Sequence, residues 1–402
     1  MSDWTSIELP TGTLSVQESA GNPFPLHELI QYGARNNPKR GFLFVSTVLG
    51  KHLPTRPSRM AAMHRFLAGR IQAAPAAPVV LIGMAETAVG LGYGVFEAWK
   101  QAQPQGEALF LHSTRYPLAQ EEALTFEESH CHAPNQFLHL PRHGAQRDRL
   151  QRAKTLVLID DEASTGQTFG HLWQALHAHM PQVERIVILT LTDFMHDHAR
   201  QTLCQRLGMS ESLQVDFVSA ARAQWRFSPK AWTADANGAC APAMSAPPQV
   251  LTHLGRIGLS QPITVPFALR AQVERLLVDH PRQAPLRILG SGEFMHAPYA
   301  LAHWLEQQGY NVSYQSSTRS PILHFGAISH RQTLPDPYGR GDAYFIYNAA
   351  PSAELTLMIH ETPPHAAIEE SVQQLNAHPL AWPAADESPA LEDSSHENLV
   401  IS

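Results

Sequence analysis

The residues best suited to chemistry lie in one stretch, Thr155-Leu-Val-Leu-Ile-Asp160-Asp161-Glu162-Ala163-Ser164-Thr165-Gly166-Gln167-Thr168. An apolar run breaks abruptly into three carboxylates, then into small and hydroxylated residues that lead to an amphipathic pattern. Ser164, Thr165, Gly166, Gln167 and Thr168 would offer backbone N–H groups and hydroxyls at a helix N-terminus, an arrangement that suits a phosphate monoester. Carboxylates beside such a site repel a bare phosphate, so Asp160 and Asp161 need another partner. Ribose hydroxyls, or a Mg²⁺ shared with the ligand, would satisfy them. A ligand carrying a phosphate and a diol about one sugar apart fits both halves. The plainer alternative is a strand–turn–helix whose carboxylates only cap the helix.

These residues need a sheet to hold them. Val79–Ile82, Ala108–Leu111, Thr155–Ile159 and Ile186–Leu191 are short runs of branched aliphatics, too short for helices. Phe169, Leu172, Trp173, Leu176 and Met180 then fall on one helical face. Strand–helix alternation with nearly continuous apolar strands predicts an α/β fold with a parallel sheet covered on both faces. Ligands bind such sheets at the carboxyl ends of the strands. There the sequence places Gly83-Met84-Ala85-Glu86-Thr87 after the first strand and Ser113-Thr114-Arg115-Tyr116-Pro117 after the second. The latter opens a polar stretch to Asn135, a length usually associated with function or disorder. Gly90, Gly92 and Gly94 follow in a helical region, which suggests either close backbone packing or an irregular loop. Trp225 and Phe227, around Arg226, could stack on a ring-shaped acceptor or form a core aromatic pair.

The chain has 402 residues, 44% apolar and 16% charged, with a formal net charge of −7. That length predicts two domains or one large one, and the apolar fraction supplies a core. An acidic chain is not built to coat nucleic acid, which is therefore not an expected partner. No apolar run reaches the length of a membrane span, and the N-terminus lacks a signal-peptide pattern, so no membrane association is expected. Cys131, Cys204 and Cys240 are odd in number and far apart, which argues against a disulfide framework and for a reducing cytoplasm. Among the 23 histidines, the groups around His130–His132, His177–His179 and His196–His198 lack zinc-site spacing and read as exposed polar residues. Thr233–Pro248 is Ala- and Pro-rich without periodicity and reads as a linker. The expected organisation is a first domain over 1–232, a linker over 233–249, a smaller α/β domain over 250–378 and an acidic flexible tail over 379–402.

The stretch from Thr155 to Thr168 resembles the signature of type I phosphoribosyltransferases, which bind 5-phosphoribosyl 1-pyrophosphate (PRPP). Strand, acidic pair, spacer and phosphate loop occur in the required order. The resemblance implies that Asp160 and Asp161 hold the ribose hydroxyls, directly or with Mg²⁺ through water, and that Ala163 to Thr168 wrap the 5′-phosphate. Glu162 and Ala163 stand at spacer positions where many relatives carry apolar residues, so no role is carried over to Glu162. The resemblance further implies a pyrophosphate loop at Met84, Ala85, Glu86 and Thr87, and a mobile catalytic loop from Ser113 and Thr114 in which Arg115 assists the leaving group. Asn37 to Phe44 and Leu49 to Pro54 do not match the base-recognition elements of the salvage enzymes. They are similar to an orotate-phosphoribosyltransferase-like branch found in tellurium-resistance-type gene clusters. That branch carries a C-terminal domain named for a Thr-Arg-Ser-Pro motif, present here at Thr318-Arg319-Ser320-Pro321.

The second domain echoes the first. Val79-Val-Leu-Ile-Gly83-Met-Ala-Glu86 matches Leu286-Arg-Ile-Leu-Gly290-Ser-Gly-Glu293, and Ser113–Pro117 matches Ser317–Pro321 in Ser-Thr-Arg-x-Pro. The spacing from glutamate to arginine is 29 residues in one case and 26 in the other, which suggests a degenerate partial repeat. No acidic pair and phosphate loop follow Pro321, so this unit is not expected to bind PRPP. Ser291, Gly292, Glu293, Thr318 and Arg319 are instead expected to form an anion or acceptor site in its own cleft, unless Arg319 only holds the fold together. The function so implied is phosphoribosyl transfer from PRPP to a nitrogenous small-molecule acceptor with release of pyrophosphate. A PRPP-sensing regulator and the reverse, phosphorolytic-type reaction are the alternatives, and a homodimer is left open.

Overall fold

The computed structural model describes residues 3–35, 37, 40–71, 77–127, 135–142, 144–232, 249–349 and 354–384. The four apolar runs form strands Val79–Gly83, Ala108–His112, Thr155–Ala163 and Arg185–Asp193. With Gln214–Pro229 they make a parallel sheet in the spatial order 214–229, 185–193, 155–163, 79–83, 108–112. An antiparallel hairpin, Thr5–Leu9 with Gly12–Glu18, continues the sheet beyond residues 214–229. Every residue of Val79–Gly83 and Ala108–His112 is buried, as a sheet covered on both faces requires. From Val79–Gly83 the chain moves to one neighbour, Ala108–His112, and later returns on the other side as Thr155–Ala163. That reversal opens a crevice at the carboxyl ends of these strands.

Two stretches differ from the sequence reading. Strand Thr155–Ala163 does not stop at Ile159; it carries the acidic triplet within its ladder, with Thr190 opposite Asp160 and Thr192 opposite Glu162. The polar stretch expected as one long loop contains an antiparallel hairpin, Ala123–Glu127 with Asn135–His139, whose connection lies outside the described residues.

Helix Thr87–Ala102 follows the first strand and contains Gly90, Gly92 and Gly94, which settles their role as close packing. A Cβ on Gly92 would lie 2.9 Å from Gly83 Cα, and one on Gly94 would lie 2.0 Å from Nδ1 of the buried His64. Gly94→Ala should therefore destabilise the protein by about 1–3 kcal/mol, the usual cost of overpacking. A fall in the urea midpoint without loss of far-ultraviolet circular dichroism at zero denaturant would register it; an unchanged midpoint would mean the helix can shift freely.

The second unit is a four-stranded parallel sheet in the order Asn311–Ser316, Pro285–Gly290, Leu355–His360, Ala377–Ala381. Its strands, numbered along the chain, run 2-1-3-4, and strands 79–83, 108–112, 155–163 and 185–193 of the first unit follow the same order. Each unit also has an antiparallel pair between its second and third strands, Arg331–Leu334 with Tyr344–Tyr347 in the second unit. The expected boundary at 378 is corrected. Ala377–Ala381 is a strand and Trp382 is buried against Phe294, because the sheet needs an apolar cover on that edge. The start of the second unit also differs: Leu259 bridges Phe110, and His112 N donates to Gly255 O, along the free edge of the first sheet. One apolar core runs through both units, including Val157, Leu189, Leu286 and Tyr314. Residues 233–248 of the expected linker and 385–402 of the expected tail lie outside the described residues.

No helix among the described residues is long and apolar enough to cross a membrane. His130, Cys131, His132 and Cys240 lie outside the described residues, and Cys204 is a buried free thiol. His177 and His179 are on a short turn of helix, the first exposed and the second half-buried. Several other histidines are core residues: burial drives the pKa of His52, His64 and His296 down to about 3, so they pack as neutral rings at physiological pH.

Candidate functional site

A cavity of about 240 Å³ opens in the crevice between Val79–Gly83 and Thr155–Ala163. Its floor comes from three strand ends. Asp160, Asp161, Glu162 and Ala163 end the central strand, and Ser164, Thr165, Gly166 and Thr168 form the turn into helix Gln167–Leu176. Met84, Ala85, Glu86 and Thr87 line it from the neighbouring strand end, and Arg115 from the next. Gly166 precedes the helix with φ +72°, a left-handed conformation that glycine adopts without strain. Gln167 N donates weakly to Thr165 Oγ1 at 3.4 Å. The amide of Asp161 donates to Asp160 Oδ1 at 2.9 Å, which fixes one carboxylate oxygen of the pair.

The charges around the cavity are paired. Arg40 donates to Glu162, and its guanidinium lies over the rings of Phe42 and Phe44 at 4.9 and 5.8 Å. That contact gives Glu162 a partner the sequence did not provide. Lys51, almost wholly buried, lies 3.3 Å from Glu86 Oε2 and donates to Gly292 O at 3.0 Å. Burial pushes the Glu86 carboxyl up, but Lys51, Arg115 and Arg319 outweigh it and hold the group below the ordinary carboxylate range. Burial also pulls the Lys51 ammonium down, against the attraction of Glu86.

Several residues expected at the site stand elsewhere. Ser113 and Thr114 are buried behind the cavity wall as struts. Ser113 Oγ accepts from Ala85 N at 2.8 Å and donates to Gln136 Oε1 at 2.6 Å. Thr114 Oγ1 donates to Glu293 Oε2 at 2.5 Å, while Arg115 N donates to Glu293 Oε1 at 2.9 Å. Gln167 is not part of the lining, because the first helical turn carries it past the loop. Trp225 and Phe227 pack on Phe42, with ring centroids 4.7 and 5.2 Å away, and are not part of the cavity lining; they are half-buried aromatics against the core.

The expected separate cleft of the second unit is corrected as well. Ser291, Gly292 and Glu293 are buried, and Glu293 is spent on the first unit's Thr114–Arg115 turn. Thr318 and Arg319 line the first unit's cavity instead, next to Ser320 and Pro321, and Arg319 Nη2 lies 3.0 Å from Asp342 Oδ2. This happens because the chain after the motif pairs with the first unit: Arg35 bridges Ile322, and Leu323 N donates to Ala34 O.

The sequence reading also missed part of the wall. Arg35, Arg40, Leu43, Phe44 and His52 face the floor from hairpin Ile30–Ala34 with Phe42–Ser46 and from the loop that follows it. The signal was a basic turn between two apolar strands, in the segment that matched no base-recognition element. No group of three or more possible metal ligands occurs among the described residues. Asp160 and Asp161 are adjacent hard oxygen donors, and that set suits an ion that keeps water and substrate oxygens as its other ligands.

Residues 29–224 match the family model described as phosphoribosyl transferase, and residues 254–375 match that of the TRSP domain found C-terminal to it. No curated protein sequence matches at a comparable level of significance. Similar solved structures include adenine phosphoribosyl transferase from Trypanosoma brucei, at 13% identity over 54% of this chain and 86% of that one, with a TM-score of 0.34. The adenine phosphoribosyltransferase of Thermoanaerobacter pseudethanolicus is 15% identical over 48% and 96% of the two chains, with a TM-score of 0.31. The enzyme from Giardia lamblia is 17% identical over 48% and 95%, with a TM-score of 0.32.

Proposed function

Because this chain belongs to the phosphoribosyl transferase family that carries a C-terminal TRSP domain, we infer that its cavity binds PRPP and transfers the phosphoribosyl group to a nitrogenous small molecule. One observation carries this reading: Ser164, Thr165, Gly166 and Thr168 of the hydroxyl-rich turn, the carboxylates Asp160 and Asp161 and the loop Met84–Thr87 line a single cavity at adjacent strand ends. The turn suits the 5′-phosphate through its N–H groups and hydroxyls. The carboxylates suit the ribose 2- and 3-hydroxyls one sugar away, which resolves the repulsion they would exert on a phosphate. The Met84–Thr87 loop then faces the pyrophosphate.

In the transfer, the acceptor nitrogen's lone pair forms a bond to C1 of the ribose. The C1–O bond breaks, its electron pair leaves with pyrophosphate, and the acceptor loses an N–H proton. Developing positive charge at C1 favours a closed, water-poor site. Leu43, Phe44 and Pro321 in the lining provide apolar surface against the acceptor. Mg²⁺ would be held by PRPP oxygens with Asp160 and Asp161 through water, and it supplies charge neutralisation of the pyrophosphate.

Replacing Thr165 and Thr168 together by valine tests the phosphate assignment. Two hydroxyl donors are lost and branched methyls crowd the turn, so PRPP binding should weaken by roughly 2–4 kcal/mol, at about 1–2 per bond to a charged group. Calorimetric titration of the full chain with PRPP and Mg²⁺ reads this directly. Wild-type affinity in the double variant would mean that the turn only caps a helix.

A further inference from the structure

The two units are built alike down to single hydrogen bonds. Ser113 N donates to Gly83 O at 2.9 Å, and Ser317 N to Gly290 O at 3.1 Å. The Ser113 hydroxyl accepts from Ala85 N and the Ser317 hydroxyl from Gly292 N, both at 2.8 Å. Thr114 bridges Phe137, and Thr318 bridges Phe345. Arg115 and Arg319 are therefore equivalent residues of two equivalent turns.

Their surroundings are not equivalent. By strand register, Glu361 of the second unit stands where Asp161 stands in the first, two residues beyond the position paired with Gly83 or Gly290. Glu361 is fully buried and bound by both terminal nitrogens of Arg256, each at 2.6 Å, with Tyr338 donating to it at 2.9 Å. The second unit's strand-end site is thus filled by its own chain. Its arginine turn points across the domain boundary, where Arg319 and Arg115 line one cavity beside Glu86.

That cavity has a charge problem on the Met84–Thr87 side. The loop holds no cationic side chain and adds the Glu86 carboxylate, yet a diphosphate needs positive charge. Arg40 is tied to Glu162, and Lys51 is buried behind Glu86. A guanidinium is a planar fork of N–H donors, and the contact of Arg319 Nη2 with Asp342 orients that fork within the cavity lining. The field of Arg319 is felt at Glu86, whose acidity it strengthens together with Lys51 and Arg115.

We propose that Arg319 of the second domain is a substrate-binding residue of the first domain's site, and that with Arg115 it holds the pyrophosphate group of the sugar diphosphate. This rests on the reading of the cavity as a PRPP site. The test titrates the full chain with magnesium pyrophosphate, with PRPP and with ribose 5-phosphate, none of which needs the acceptor. Arg319→Ala should weaken pyrophosphate and PRPP at least tenfold and leave ribose 5-phosphate within twofold of wild type. Arg319→Lys, which keeps a charge beside Asp342, should recover part of the loss. Unchanged pyrophosphate affinity in Arg319→Ala overturns the proposal, and so does equal weakening of all three ligands, which would mark a purely structural role. If the wild-type chain binds pyrophosphate through Arg319 but neither PRPP nor ribose 5-phosphate, the diphosphate site stands and the phosphoribosyl reading of the cavity falls.

Discussion

Asp160→Asn with Asp161→Asn is expected to lower PRPP affinity by roughly a hundred- to ten-thousandfold while the protein stays folded. Each carboxylate would accept hydrogen bonds from ribose hydroxyls, and bonds to a charged group contribute about 1.5–3 kcal/mol each. Two such losses give roughly 3–6 kcal/mol, with each 1.4 kcal/mol a factor of ten. Folding should tolerate the change because both side chains are only partly buried and line the cavity. The local bond from Asp161 N to Asp160 Oδ1 also survives, since asparagine keeps a carbonyl oxygen there. Calorimetry gives the affinity and a thermal melt gives the fold. A double variant that binds PRPP as tightly as wild type would remove these carboxylates from the site.

Glu361→Ala should destabilise the protein by about 3–5 kcal/mol, the cost of leaving a buried charge without its partner. Arg256 and Glu361 are both wholly buried and meet in a two-bond pair. The damage should spread towards the first domain. Tyr338 donates to Glu361 and accepts from Glu293 N at 3.2 Å, and Glu293 in turn holds Thr114 and the Arg115 amide. Urea denaturation reads the stability. Replacing both partners, Arg256→Met with Glu361→Leu, removes the two charges together and should recover much of the loss. A single variant with a wild-type midpoint would show that water reaches Arg256 once its partner is gone.

The hydroxyl-rich turn and the acidic pair were legible in the sequence because everything that specifies them is local. A run of branched aliphatics, a break at Asp160 and a helical face through Phe169, Leu172 and Leu176 lie within about twenty residues. The echo between Gly83–Arg115 and Gly290–Arg319 was legible for the same reason, as was the parallel α/β class. The Leu355–His360 strand and its Glu361 were not read as the counterpart of the acidic strand, because no turn like Ser164–Thr168 follows it. The strand at Ala377–Ala381 was missed because proline and polar residues mask its alternation; only a neighbouring strand, Leu355–His360, makes it a strand.

What the sequence by itself determined is the chemistry of the floor: which residues end the central strand, and which small residues turn into the helix. Which surface faces that floor was decided by tertiary structure. The turn that carries Arg319 lies against the Gly290–Gly292 loop, as expected, but with Arg35 bridging Ile322 its arginine lines the first unit's cavity with Glu86 rather than a separate cleft. Glu293 was expected to serve a ligand, yet it holds Thr114 and Arg115, 178 residues away at the nearer bond. Trp225 and Phe227 carry the same rings a binding site would use, and packing on Phe42 sets them against the core instead. A side chain's type is set by its position in the chain, but its partner is chosen by the packing of segments far apart in sequence. No local pattern encodes that packing, because the free energy that selects it comes from apolar surface the two units bury together.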